Sequence, residues 1–251
     1  MGREPEPYER LFVALDTPDA DRARELVRLL AGRVGGFKVG LELFASHGPD
    51  LVREFGESGR IFLDLKLHDI SNTVARTAGA IARLGVDYFT VHASGGAAMV
   101  QRAALAAAEA AQAAGLKPPT VLAVTVLTNL DDDALATIGL RGPTASAVER
   151  LAILARDAGA GGLVCSALEV QAARRLFAAG TLVVPGIRSR GTSVGNDDQA
   201  RTATPARAME LGADLLVVGR PVTDADDPVA AVDAIAEELL QAEQTDPGVR
   251  Q

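Results

Sequence analysis

Asp64, Lys66 and Asp69, three charged side chains within six residues, are the first chemistry the sequence offers. On an extended strand, side chains two apart share a face, so Asp64 and Lys66 point the same way and Asp69 follows in the next turn. Two carboxylates around one ammonium favour its protonated form, and a lysine so held can serve as a general acid. Lys38, arriving from an earlier strand, would complete an alternating Lys–Asp–Lys–Asp array. A structural ion pair is the alternative, but a part-buried pair returns little net stability once desolvation is counted. Among 25 Lys and Arg residues only Lys38, Lys66 and Lys117 are lysines. Where arginine is the default cation, a lysine supplies what arginine cannot, a proton it can lose at accessible pH. Acidic clusters also bind divalent metals, but here an ammonium stands where the cation would, so no metal is expected.

Such a cluster needs a scaffold. Short Val-, Ile-, Leu- and Phe-rich runs alternate with longer Ala-, Leu- and Arg-rich segments of helical period, the pattern of βα units around a buried parallel sheet. Eight strands are predicted, at 11–16, 36–40, 61–66, 88–93, 120–127, 162–166, 182–187 and 215–220. Helices follow them, clearest at 18–30, 70–84, 97–114, 144–158, 167–178 and 229–242. Eight units in 251 residues without a linker-like segment predict one α/β domain, a (β/α)8 (TIM) barrel over residues 1–251 with polar extensions at 1–10 and 241–251. The active site of such a barrel lies at the C-terminal ends of its strands. Asp16, Lys38, Asp64, Lys66 and Arg220 all fall at or near predicted strand ends. Two connections are long, 129–143 and the Gly-, Ser- and Asp-rich 188–205, where a lid over the mouth is expected. Val218-Gly-Arg220 places backbone N–H groups beside a guanidinium after the eighth strand, a usual phosphate site of this fold, and Arg188 and Gln199 lie in the lid.

Composition narrows the partners. A formal charge of −8 argues against nucleic acid or an anionic membrane as the main partner. No apolar run reaches the roughly 18 residues that span a bilayer, and the first residues lack an apolar signal core. Cys165, the one cysteine, lies in an apolar run and is expected to pack in the core, in keeping with a reducing cytoplasm. His47 and His92 are expected at helix ends or in packing, His68 to point away from the cluster, and none as a catalyst.

The stretch Phe62-Leu-Asp-Leu-Lys-Leu-His-Asp-Ile-Ser-Asn-Thr73 resembles the signature of orotidine 5′-phosphate decarboxylases. The resemblance runs on through Val13-Ala-Leu-Asp16, Phe37-Lys-Val-Gly40, Val91-His-Ala-Ser-Gly-Gly96, Val124-Thr-Val-Leu-Thr128, Pro185-Gly-Ile-Arg188 and Val218-Gly-Arg-Pro-Val-Thr223. Two departures are Ser71, where that family commonly has Pro, and Asn129, where Ser is frequent. The resemblance implies a cytoplasmic lyase of UMP (pyrimidine) biosynthesis that needs no cofactor and acts on orotidine 5′-phosphate. It implies that Asp16 and Lys38 contact the ribose and that Asp64 and Lys66 flank the reacting carbon, with Lys66 delivering the proton. Thr128 would contact the pyrimidine, and Arg188, Gln199, Gly219 and Arg220 the phosphate. Asp69, Ile70 and Thr73 would reach a neighbouring subunit's site, making the enzyme a homodimer with shared active sites. Two other readings are a metal-dependent sugar-phosphate decarboxylase or aldolase of the same superfamily and a catalytically silent nucleotide-binding barrel.

Overall fold

The structure, a computed structural model, describes residues 7–188 and 202–245. Its strands are β1 (Leu11–Ala14), β2 (Gly36–Gly40), β3 (Arg60–Leu67), β4 (Tyr88–His92), β5 (Thr120–Val124), β6 (Gly162–Val164), β7 (Thr181–Val184) and β8 (Leu215–Val218). All pair in parallel with their sequence neighbours, and β8 returns to β1, closing a barrel. Around it lie α1 (Ala20–Leu30), α2 (Leu41–Gly56), α3 (Ser71–Ala82), α4 (Ala97–Ala113), α5 (Asp132–Thr137), α6 (Thr144–Asp157), α7 (Val170–Leu176), α8 (Pro205–Glu210), α9 (Arg220–Thr223) and α10 (Pro228–Thr245). The expected (β/α)8 architecture is the observed one.

Strand periodicity divides the apolar residues into two cores. Odd positions of β1 and β3, such as Leu11, Val13, Ile61 and Leu63, pack outward against the helices. Phe12, Ala14 and Phe62 point inward with Leu122, Val183, Leu215 and Val217 and fill the barrel. Phe12, Phe62 and Tyr88 meet edge to face, with centroids 5.6 to 6.5 Å apart, worth about 0.5–1.5 kcal/mol per pair beyond simple burial. Below them Arg60 closes the N-terminal end, its guanidinium 5.0 Å from the Phe12 ring centroid and donating to the Gly35 carbonyl at 2.8 Å and to the Glu9 carbonyl. Pro7–Arg10 form a 3-10 turn that supplies this Glu9 acceptor, so the end of the expected N-terminal extension is part of the barrel floor. A plugged floor leaves the opposite, C-terminal end as the opening.

Several strands stop short of their expected ends. β1 stops at Ala14, two residues before Asp16, and Arg220 starts α9 where a strand end was expected. Pro221 explains the latter: it cannot donate to a sheet ladder but is tolerated in the first turn of a helix. Asp16 thus stands on a loop two residues beyond its strand and Arg220 on the first turn of a helix, whereas Lys38, Asp64 and Lys66 lie on strands. The connection expected at 129–143 contains α5, capped by Asp131 through the Ala134 N–H at 2.9 Å. At the other long connection, Ile187 bridges Ala203 and the Arg188 N–H donates to the Ala203 carbonyl at 2.9 Å, so its two described ends meet. The expected C-terminal extension is helical from Gln241 to Thr245, the last turn of α10.

Candidate active site

At the open end lies a cavity of about 540 Å³, within the range of small-molecule sites. Its apolar floor includes Phe62, Val124, Val164 and Val217, and its charged wall carries Asp16, Lys38, Asp64 and Lys66. Neighbouring strands deliver these four in order. Asp16 follows β1, Lys38 lies within β2, and Asp64 and Lys66 lie on β3. Lys38 Nζ donates to Asp16 Oδ1 at 2.7 Å and stands 3.7 Å from Asp64 Oδ2, which accepts from Lys66 Nζ at 2.8 Å. The chain of contacts is Asp16–Lys38–Asp64–Lys66. Its middle members have side chains only 10% and 11% exposed, whereas Lys66 is 38% and Asp16 59% exposed, so the ends of the chain face the opening. Gly40 makes room for it, because a Cβ there would lie 2.7 Å from Asp16 Oδ1.

Burial pushes the Asp64 carboxyl up, but the Lys38 and Lys66 ammoniums and the hydrogen bonds from Lys66 and Thr90 outweigh it, and the group titrates below the usual carboxylate range. Asp64 is therefore a carboxylate at neutral pH. Asp16 and Asp64 are each paired with a lysine, whereas Asp224, also lining the cavity, accepts from the Thr223 hydroxyl at 3.0 Å, and among the described residues no three His, Cys, Asp or Glu side chains gather as metal ligands do.

The expected array is corrected in one member. Asp69 was to be the second carboxylate around Lys66, yet among the described residues Lys66 pairs with Asp64 alone, and the Asp69 carboxylate accepts from the Ile70 N–H at 2.6 Å. The cause is a bulge. Phe62 and Leu63 pair with Tyr88 and Phe89, but the next pair is Leu67 with Val91, so three residues of β3 face Thr90 alone. Lys66 adopts a left-handed backbone, φ +51°, uncommon without glycine. Asp64 and Lys66 do share a face, but through this bulge and not through the regular pleat that the spacing implied. Beyond it the chain turns into α3, carrying Asp69 outward. Ser71 is the first residue of α3 after the cap Ile70, a position where proline is also accommodated.

Thr128, Arg188, Gly219 and Arg220 line the cavity from the loops after β5, β7 and β8. Asp69, Ile70 and Thr73 do not line it, and Ile70 is 73% exposed. Gln199 lies outside the described residues. His47, exposed within α2, has Nε2 2.8 Å from the Pro18 carbonyl, and Cys165, buried among the cavity-lining residues, has its thiol pushed up to about 12 by burial. The exposed His68 ring lies 5.3 Å from that of His92, which burial, then His68 and Lys66, shift below the usual histidine range. Sequence reasoning missed the apolar floor and Thr90, a fully buried hydroxyl against Asp64. Its one signal was a polar residue on the inward face of Tyr88-Phe-Thr-Val-His92.

A closed parallel barrel that sets ion-paired lysines and aspartates around its open end, with arginines entering from the last loops, is the architecture of a (β/α)8-barrel enzyme. The chain belongs to the orotidine 5′-phosphate decarboxylase / HUMPS family, whose model it matches over residues 9–235. Orotidine 5′-phosphate decarboxylase of Anaeromyxobacter sp. (strain K) is 53% identical over 232 residues, covering 92% of this chain and 98% of that protein. The enzyme of that name from Paramagnetospirillum magneticum is 49% identical over 231 residues, 91% of this chain and 97% of its relative. The crystal structure of orotidine 5′-phosphate decarboxylase from Lactobacillus acidophilus superposes with a TM-score of 0.81 at 39% identity, covering 91% of this chain and 98% of that one.

Proposed function

We propose that this chain decarboxylates orotidine 5′-phosphate to UMP, the last step of de novo pyrimidine biosynthesis, as a cytoplasmic single-domain barrel using neither metal nor cofactor. The observation that carries the reading is the Asp64–Lys66 pair, 2.8 Å apart at the cavity mouth, in a chain about half identical to decarboxylases of that name. Breaking the bond from C6 to the carboxylate leaves its electron pair on C6 and releases carbon dioxide. That charge exists only on the way to product, so a fixed ammonium that meets it lowers the barrier without tightening substrate binding equally. Lys66 Nζ then gives its proton to C6 and is reprotonated from solvent. Asp64 holds the ammonium in place and disfavours the adjacent carboxylate of the substrate.

Asp16 and Lys38 are assigned to the ribose hydroxyls and Thr128 to the pyrimidine. Arg188, Gln199, Gly219 and Arg220 are assigned to the phosphate, where charge-assisted contacts far from C6 supply binding energy for orienting the ring. The exposed Ile70, with Asp69 and Thr73, sits beside the cavity without lining it, which supports a homodimer in which these three complete the partner's site.

The test is the ultraviolet absorbance change on adding orotidine 5′-phosphate to purified protein held in EDTA. Full activity is expected, and Lys66→Ala should abolish it while binding UMP within about tenfold of wild type, because a group acting mainly in the transition state adds little ground-state affinity. Near-normal turnover by the variant would remove Lys66 from its role. Activity appearing only with added divalent metal, on a sugar phosphate, would replace the reading with the other chemistry of the superfamily.

A further inference from the structure

We propose that Thr90 is a positioning residue of this reaction, whose hydroxyl sets the bulge that turns the Lys66 ammonium onto Asp64; the assignment rests on the function proposed above. Thr90 lies on β4, fully buried, opposite the irregular part of β3. Its Oγ1 accepts from the Lys66 N–H at 2.8 Å and donates to Asp64 Oδ1 at 2.9 Å. In a regular parallel ladder the Lys66 N–H would find a β4 carbonyl. The bulge interrupts that register, and a buried N–H left without an acceptor costs free energy comparable to a lost hydrogen bond. A side-chain hydroxyl replaces the missing acceptor and, with its own hydrogen, reaches the carboxylate that Lys66 must meet.

The two bonds do different things. The first stabilises a left-handed conformation that a β-strand lysine would otherwise leave, since non-glycine residues hold such geometry only when their surroundings over-determine it. The second occupies Asp64 Oδ1, which leaves Oδ2 to meet both ammoniums, Lys66 at 2.8 Å and Lys38 at 3.7 Å. One hydroxyl therefore fixes the backbone that carries the proton donor and the rotamer of its counter-ion. Thr90 itself is absent from the residues lining the cavity, so it acts through Asp64 and Lys66 and not on substrate. Few other residue types could replace it. Serine retains the hydroxyl, valine only the shape, and alanine neither.

The test compares Thr90→Ser, Thr90→Val and Thr90→Ala with wild type in the full-length protein, recording kcat and KM for orotidine 5′-phosphate, and the stoichiometry and affinity of UMP binding. Valine and alanine are expected to lower kcat about 10- to 100-fold, the range for losing a hydrogen bond to a charged group. KM and UMP binding should move by less than about threefold, because the defect lies in positioning and not in ground-state affinity. An unchanged stoichiometry separates slower sites from fewer folded ones. Serine should restore kcat to within about threefold of wild type, the residue of a lost methyl contact. If valine fails to fold, the contrast between serine and alanine carries the decision. Near-normal kcat in valine or alanine, or serine as slow as alanine, would overturn the role of the hydroxyl while leaving the function intact. A wild-type protein inactive on orotidine 5′-phosphate would overturn the function, and the role with it.

Discussion

Replacing Lys38 with methionine removes a charge from the middle of the Asp16–Lys38–Asp64–Lys66 chain while keeping most of its volume. The two aspartates respond differently because their exposure differs. Asp16 is 59% exposed and regains water, whereas Asp64, 11% exposed, keeps the Lys66 ammonium and the Thr90 hydroxyl. At the 3.7 Å separating Lys38 Nζ from Asp64 Oδ2, the lost Coulomb energy is roughly 4 kcal/mol at an effective dielectric near 20. Stripping one partner from a buried pair commonly costs about 3–5 kcal/mol, and the retained Lys66 places this site at or just below that range. A loss of about 2–4 kcal/mol at neutral pH is expected. The pH dependence identifies its origin. In the wild type the Asp64 carboxyl titrates below its unfolded-state value of about 4, so its contribution is present above that pH and lost as pH falls toward the depressed folded value. In Lys38→Met the carboxyl loses the largest of the causes that hold it low, so its folded value moves up and it contributes less stability at neutral pH. The gap between the two proteins should therefore narrow as pH falls from 7 through the unfolded carboxyl value of about 4 toward the depressed wild-type value. Urea denaturation at one fixed protein concentration measures it, the fixed concentration holding any association constant. A gap under about 1 kcal/mol at pH 7, the size of an exposed pair, or one that does not change with pH, would refute the view that Asp64 depends on Lys38.

Two further outcomes test the outer parts of the site. Arg220→Ala should lower kcat/KM for orotidine 5′-phosphate by about 10- to 100-fold, as expected for a charge-assisted contact, and leave turnover of the unphosphorylated nucleoside unchanged; equal losses on both substrates would place Arg220 away from the phosphate. Ile70→Asp, at an exposed apolar side chain beside the cavity, should shift sedimentation from dimer toward monomer and reduce activity in step with the monomer fraction, and a fully active monomer would exclude shared sites.

Where the fold was legible, it was because the physics that sets it is local and periodic. Buried parallel strands must be apolar on both faces, and amphipathic helices must repeat every 3.6 residues, so the alternation of segments carries the barrel. The charge cluster was legible for a related reason. Adjacent strands in sequence are adjacent in this sheet, so Asp16, Lys38 and Asp64 had to meet once the order β1-β2-β3 was granted. What periodicity could not supply were its own interruptions. Strand ends slipped where loops leave the ladder, as at Asp16 and Arg220.

The largest interruption falls at Lys66, the residue to which the proton transfer is assigned. Regular alternation would have made Asp64 and Lys66 neighbours on one face of a flat strand and carried Asp69 close behind them, the array the spacing implied. The bulge keeps the first pair together and sends Asp69 outward. No glycine, asparagine or proline at position 66 announces it, because its determinant lies 24 residues further on. Such a contact is invisible to any window along the chain and evident once β3 and β4 are paired. The same logic bears on the second half of the motif. A loop released from its own cavity by the bulge is free to serve another, so the distortion that aims Lys66 inward is also what presents Asp69 and Ile70 on the surface, with Thr73 part-exposed in the first turn of α3. Variants that straighten β3 should for that reason weaken both catalysis and association, whereas those confined to α3 should affect association first.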